Sequence, residues 1–434
     1  MSVLNGILNF IVTDIFGQGA IFLALIALIG LVLQKKPFSE IVRGTILTAI
    51  GFFVLTTGTG IVSDQTVSGL SRAFAALFPA TVPANEIGAA TIMEDYAQPI
   101  GIVMIVAFLI NIIFARFSKK WKSIFLTGHM LYWFPFIFIA AGVNAGLRGF
   151  PLIALATVFT ALYMIVSPNV MRPLVKEVTG GDESFTIGHP TTILSVIAGY
   201  LGKVVGNKEK STEDIKFPKG LGFLREVYIT GSILIGLTYI VIIAVLSARG
   251  LNPAEVIGYD TTTFTFIFQR VLYFGAGVSI LLTGVRMLIS EIVPAFKGFA
   301  EKIVPGAIPA LDCPVLFPYA PNALFIGFLC CLVTSTITVL LTVNVFPAAI
   351  VPLIFACFFE GGTAAIVANA TGGVRGCIIG SIVNGAIIIL LVGFGTYFYD
   401  KTINDWMLVF GGQDFSFWGI IEGTVAKLLV GLGL

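Results

Sequence analysis

Leu55-Thr-Thr-Gly-Thr-Gly60 and Leu281-Leu-Thr-Gly-Val285 stand 226 residues apart in this 434-residue chain, and each opens a series of further matches. The first series continues through Val82-Pro-Ala-Asn-Glu86, Tyr96-Ala-Gln-Pro99 and Val143-Asn-Ala-Gly-Leu-Arg-Gly149. The second continues through Ile308-Pro-Ala-Leu-Asp312, Tyr319-Ala-Pro-Asn322 and Ala368-Asn-Ala-Thr-Gly-Gly-Val-Arg-Gly376. The offsets stay between 223 and 227 throughout. Each fragment alone is weak, but four in one order at one spacing mark an internal duplication, which in an apolar chain points to a transporter.

The chain is 57% hydrophobic and 11% charged, with a mean hydropathy of +1.00. A soluble domain carries roughly 25% charged residues, so this chain lacks the polar surface to live in water. The lipid bilayer is its solvent, and helices are the expected spanning elements. The net charge of +2 gives no nucleic-acid reading, since the basic residues fall in loops between apolar runs. The five cysteines lie in or beside apolar segments without a metal-ligand pattern. The N-terminus shows no basic start and no small-residue cleavage site, so no removable signal peptide is expected.

A span needs about 20 apolar residues. Eleven are expected, near 17–34, 43–61, 99–116, 123–143, 150–168, 227–248, 264–286, 321–342, 345–359, 376–397 and 416–433. Lys and Arg concentrate in alternate connections: Lys35, Lys36 and Arg43; Arg116, Lys119, Lys120 and Lys122; and the long stretch from Arg172 to Arg225. Cytoplasmic loops carry that bias, which puts the N-terminus outside and the C-terminus inside. The two copies then run in opposite directions. The expectation is an all-α membrane protein forming one domain over 1–434, with inverted five-helix repeats at about 17–168 and 227–397. One extra helix and a cytoplasmic connection at 169–226 complete it.

Residues 62–98 and 287–320 are too apolar for water-exposed loops and are expected to form amphipathic helices leading into re-entrant turns. Glu86 and Asp312 occupy matched places after Pro83 and Pro309. Ionisable groups in a membrane protein are costly and make functional candidates, although an interfacial helix-capping role explains both equally simply. The two histidines, His129 and His189, each follow a glycine. Imidazole offers one donor and one acceptor to a hydroxyl-rich ligand, but a single histidine in a helix is commonly a satisfied core residue. Asn144 with Asn369, and Arg148 with Arg375, match across the repeat and suit turns. Glu360 either lines a cavity or caps a span. No phosphate-binding loop, dinucleotide fingerprint, nucleophile elbow or zinc signature is present.

At these motifs the chain resembles the membrane subunit (IIC) of the bacterial phosphoenolpyruvate-dependent sugar phosphotransferase system, in its L-ascorbate branch. The likeness is carried by Leu126-Thr-Gly-His129, Phe185-Thr-Ile-Gly-His189, Val304-Pro-Gly-Ala-Ile-Pro-Ala-Leu-Asp-Cys313, Phe317-Pro-Tyr-Ala-Pro-Asn-Ala323, Gly284-Val-Arg-Met-Leu288 and Ala368-Asn-Ala-Thr-Gly-Gly373. It implies a homodimeric permease of the bacterial inner membrane with a substrate-binding core that moves, elevator-fashion, against a dimerising scaffold. It implies phosphorylation of the sugar by separate IIB and IIA subunits, with no catalytic residue, metal or cofactor in this chain. The substrate contacts it implies are Asn85, Glu86, His129, Met130, Leu131, Tyr132, Trp133, His189, Pro190 and Asp312. Trp133 and Pro190 stand where the ascorbate branch has glutamine, which removes two amides and adds a stacking face. The alternative class is an ion-coupled secondary transporter of a small organic acid or polyol, using Glu86 or Asp312.

Overall fold

In chain order the first elements are α1 (Gly19–Leu33), α2 (Phe38–Val62), a π turn (Ser63–Val67) and α3 (Ser68–Leu77). Then come α4 (Ala89–Asp95), α5 (Ala97–Phe117), β1 (Ser123–Phe125), α6 (Gly128–Ala145) and α7 (Gly149–Val178). β2 (Thr186–Ile187), α8 (Thr192–Val205) and a 3-10 turn (Thr212–Asp214) precede α9 (Val227–Ala248), α10 (Pro253–Ile257) and α11 (Thr263–Lys302). The chain ends with β3 (Ile308–Leu311), a 3-10 helix (Cys313–Tyr319), α12 (Pro321–Thr342), a π segment (Ala356–Gly361), α13 (Gly362–Tyr399) and α14 (Asp414–Gly431). This computed structural model describes residues 18–77, 88–215, 227–346 and 348–433 apart from 349, 351, 405 and 408–410, together with Gly6, Phe10, Asp14 and Ile15.

The chain is predominantly helical, as expected of an all-α membrane protein, and adds three short strands that no periodicity announces. Among the described residues, seven helices are long and apolar enough to cross a membrane, against the eleven spans expected. Of the remainder, α1 has 15 residues, and α6 and α14 have 18 each. The expected re-entrant regions differ in detail. Helix α2 continues through the π turn into α3, and α11 runs unbroken for 40 residues, about 60 Å at the usual rise. That is about twice the hydrocarbon thickness, so part of each must lie beyond or along the interface. After α11 the chain turns into β3 and a 3-10 helix.

A π turn releases carbonyls from the regular ladder, and buried carbonyls need partners. Arg270 donates to the Gln65 carbonyl at 2.5 Å, and the Tyr239 hydroxyl donates to the Thr66 carbonyl at 2.5 Å. The π turn is thereby held by α9 and α11.

The α2–α11 contacts are reciprocal. A Cβ on Gly58 would lie 2.6 Å from the Leu281 Cα, and a Cβ on Gly284 would lie 2.6 Å from the Leu55 Cα. Gly51 meets Leu288 and Gly277 meets Val62 in the same way. Every member of each pair is 226 residues from its counterpart in the reciprocal pair. Partners descend along α11 as they ascend along α2, so the helices are antiparallel. Such reciprocal contacts are those of a local two-fold axis perpendicular to both helices. Small residues let membrane helices approach this closely.

Two groups of helices result. Helices α1, α2, α9 and α11 pack mainly on one another, and α5 to α8 and α12 to α14 on one another; α5 and α7 hold β1 and β2, while α11 reaches β3. Within the second group α13 bends at Gly373, with φ of 58° and ψ of −155°. Asn207 N–H donates to the Gly372 carbonyl at 2.9 Å and Val374 N–H to the Lys210 carbonyl at 2.7 Å, satisfying the groups the bend frees. The matched stretch in the first half breaks between α6 and α7, with Gly149 also at φ 58°.

Candidate functional site

The three strands are parallel in the order β1-β3-β2, so their C-terminal ends share one edge. Backbone pairing continues one residue further, with Leu126 N–H donating to the Ala310 carbonyl and Gly188 N–H to the Leu311 carbonyl, both at 2.9 Å. Asp312 directly follows β3, His189 comes two residues after β2, and His129 four residues after β1 in the first turn of α6. Gly188 is required here, because a Cβ would fall 2.7 Å from the Phe125 ring.

Asp312 sits at the end of the central strand, between the two imidazoles. Its Oδ1 accepts the Cys313 N–H at 2.7 Å, capping the 3-10 helix. The same oxygen is 3.5 Å from His189 Nε2, and Oδ2 is 3.7 Å from His129 Nε2. Both separations exceed the 2.7–3.2 Å typical of a hydrogen bond, so the imidazole nitrogens remain open to a ligand. One ligand atom from each of the three side chains lies within 4.8 Å of the other two. Two imidazoles and a carboxylate would suit a small cation as well as a pair of hydroxyls.

The trio opens into a cavity of about 640 Å³ lying where the two helix groups face each other. That is a size usual for small-molecule sites. One wall is chemically rich: His129, Met130, Trp133, His189, Asp312 and Glu360. Trp133 and Trp406 have ring centroids 5.5 Å apart with planes 30° from parallel, making one broad apolar face. The other wall, from α1 and α2, presents Gln18, Phe52, Phe53, Thr56 and Thr59.

Supporting contacts lock the rich wall. Asp414 accepts Thr192 N–H at 3.0 Å, Ile193 N–H at 2.9 Å and the Tyr163 hydroxyl at 2.8 Å. A carboxylate at the first turn of α8 suits the positive end of the helix dipole, and it fixes the loop carrying His189. The Thr191 hydroxyl donates to the Glu360 carbonyl at 2.8 Å, tying that loop to the π segment. The Glu360 side chain is buried, and its Oε2 has no hydrogen-bond partner among the described residues.

Of the residues singled out from sequence, His129, Met130, Trp133, His189 and Asp312 line the cavity, and Glu360 joins them. Leu131, Tyr132 and Pro190 stand behind its wall. The reason is helical: positions 129, 130 and 133 share a face of α6, while Leu131 turns into the core and Tyr132 stacks on Phe136. Pro190 is buried beside the start of α8. Asn85 and Glu86 lie outside the described residues. Sequence reasoning passed over Phe52, Thr56 and Thr59, whose spacing of four and three residues marks one helical face within and before the duplicated motif. It also passed over Trp406 and Phe415, which no local pattern connects to the site.

Comparison with known proteins adds two findings. The family model described as PTS system sugar-specific permease component (EIIC-GAT) matches residues 14–413. The ascorbate-specific PTS system EIIC component of Mycoplasma pneumoniae (strain ATCC 29342 / M129 / Subtype 1) is 27% identical over 433 residues, covering 87% of this chain. The chain spans 64% of that relative's own length.

Proposed function

This chain belongs to the sugar-specific permease components of the phosphotransferase system, and we propose that its His129–His189–Asp312 cavity carries a small hydroxylated sugar, L-ascorbate or a relative, across the bacterial inner membrane. The observation that carries this reading is the convergence of those three side chains, from one to four residues beyond three parallel strands, on one cavity between two helix groups. Imidazoles and a carboxylate supply directional donors and acceptors for hydroxyls, and the Trp133–Trp406 face takes the ring. The family resemblance adds Asn85 and Glu86, outside the described residues, as further substrate contacts.

The division of labour between the walls supports an elevator-type step. The ligand-binding groups all belong to the group containing the sheet, which serves as the core. The wall from α1 and α2 offers aromatic rings and hydroxyls, over which a loaded core slides. The reciprocal Gly58–Leu281 and Gly284–Leu55 contacts support inverted repeats within the scaffold, with the remaining spans completing two sets of five plus one. The protein works as a homodimer with its N-terminus outside and C-terminus in the cytoplasm.

Phosphoryl transfer falls to separate IIB and IIA subunits. The IIB subunit docks at the basic 169–226 connection, where Lys210 and Arg375 line a second cavity of about 460 Å³. The Lys210 and Arg375 side chains suit a partner bearing a phosphoryl group.

Reconstitution in proteoliposomes tests the reading. Accumulation of phosphorylated sugar that requires IIA, IIB and phosphoenolpyruvate is the expected result. Uncoupler-sensitive accumulation of unmodified sugar without those proteins would instead establish the ion-coupled class.

A further inference from the structure

The separations among His129, His189 and Asp312 fit a second kind of ligand besides a hydroxylated ring. Asp312 Oδ1 is 3.5 Å from His189 Nε2, and Oδ2 is 3.7 Å from His129 Nε2. Both are too long for direct hydrogen bonds. They are close to what adjacent ligands of one tetrahedral ion show, since bonds of about 2.0–2.2 Å place neighbouring ligand atoms roughly 3.3–3.5 Å apart. One ligand atom from each of the three side chains lies within 4.8 Å of the other two. His129, with 39% of its side chain exposed, can swing to close the remaining gap. All three side chains line the same cavity, so an ion has a route to them.

The donor set points to a class of ion. Two imidazoles with one carboxylate suit Zn²⁺, Co²⁺ and their neighbours, whereas Mg²⁺ and Ca²⁺ favour oxygen ligands alone. Three protein ligands leave one tetrahedral position for water on the cavity side. The surroundings hold the donors in place. Asp312 Oδ1 accepts Cys313 N–H at 2.7 Å, the kind of second hydrogen bond that orients a ligating carboxylate. Backbone pairing of Leu126 with Ala310 and of Gly188 with Leu311 fixes the strand ends that lead into the three residues. His189 Nδ1 is buried without a hydrogen-bond partner among the described residues. No second bond therefore commits that ring to the tautomer protonated on Nε2, and Nε2 is free to offer its lone pair.

We propose that His129, His189 and Asp312 form a binding site for a divalent cation of the zinc class, which competes with the transported sugar for the same three side chains. The cation is an alternative occupant of the cavity and not a cofactor of transport. The competition rests on the reading that this cavity holds the sugar, while the cation site rests on the geometry of the three donors. A cation bound through both imidazoles and the carboxylate takes up the lone pairs that would accept hydrogen bonds from sugar hydroxyls. One occupant therefore excludes the other.

Co²⁺ is the probe of choice, because its visible absorption reports tetrahedral coordination. The chain has two histidines, so once any affinity tag is removed every imidazole ligand must come from this site. Purified, full-length protein should take up Co²⁺ with tetrahedral visible bands, and Zn²⁺ should displace it while Mg²⁺ does not. His129→Ala and Asp312→Asn should each weaken Co²⁺ binding by at least about tenfold, since even outer-shell partners of a bound metal contribute about 10- to 100-fold. A sugar shown by calorimetry to bind should, at saturation, lower the apparent Co²⁺ affinity. The proposal is overturned by absent Co²⁺ binding, by Co²⁺ affinity unchanged in both variants when they melt normally, or by Co²⁺ affinity indifferent to saturating sugar. His129→Ala separates the two levels of inference. Sugar binding lost in that variant, in a protein that never takes up Co²⁺, defeats the cation site alone. Co²⁺ binding lost there while sugar binds normally defeats the sugar reading of these side chains.

Discussion

Replacing Asp312 with asparagine isolates what the central carboxylate contributes. One oxygen is committed to the backbone, accepting Cys313 N–H at 2.7 Å, and an asparagine carbonyl serves that cap equally well. The fold should therefore survive. The other oxygen, 3.7 Å from His129 Nε2, becomes an NH2 group, a donor where the ligand's hydroxyl needs an acceptor. Hydrogen bonds to a charged group contribute about 1.5–3 kcal/mol, so losing one predicts a fall in affinity of about 10- to 150-fold. Isothermal titration with the best-binding sugar reads this directly, and thermal melting in detergent reads the fold. Asp312→Ala should lose similar affinity and also melt earlier, because the cap goes with the charge and caps contribute about 0.5–2 kcal/mol. Affinity within twofold of wild type in a normally melting Asp312→Asn protein would remove Asp312 from the site.

Gly284→Val forces a β-branched side chain toward the Leu55 backbone, which a Cβ would approach to 2.6 Å. Overpacking of this kind costs about 1–3 kcal/mol, so the melting temperature should drop, whereas Gly60→Ala, whose Cβ would meet only Asp64 Oδ2 at 4.0 Å, should melt normally. Equal melting of the two variants would contradict the close α2–α11 packing. Glu213, in the 169–226 connection, accepts Asn322 N–H at 3.3 Å and Ala323 N–H at 3.1 Å, while burial pushes its carboxyl above the usual range. Its stabilising effect is therefore full below the unfolded carboxyl value and is lost as pH rises through the raised folded value. Glu213→Gln should gain melting temperature relative to wild type as pH climbs through that window; a pH-independent difference would refute the linkage.

Much of this architecture was written in the sequence, and what was missing has a physical pattern. The duplicated glycines were visible because a close helix crossing fixes both residue type and spacing. Their partners were not, since that Gly58 meets Leu281 depends on how the helices dock. His129, His189 and Asp312 drew notice through scarcity in an apolar chain and through the family resemblance, which names them together as substrate contacts. Their convergence depends on strands of two to four residues, too short for any alternation to register. The tryptophan wall shows the same limit: Trp133 sits in a marked motif, while Trp406 arrives from a connection 273 residues later without periodic context.

The contact between the walls offers the sharpest test of which part moves. Gly128 begins α6, one residue before His129, and a Cβ there would lie 2.8 Å from the Gly19 Cα at the start of α1. Real Cβ atoms essentially never come so close, so Gly128→Ala cannot keep this contact without displacing backbone. If the two groups slide past each other, that contact belongs to one position of the core, and the substitution should disfavour that position without unfolding either group. The expected phenotype is near-normal melting and binding with slowed sugar delivery. A cysteine placed at Thr56, on the opposite wall, should also change its rate of labelling by a membrane-impermeant thiol reagent when Gly128→Ala is added. Unchanged labelling alongside a large loss of melting temperature would mean that α1 and α6 are parts of one rigid body. The cavity would then have to open by some route other than sliding.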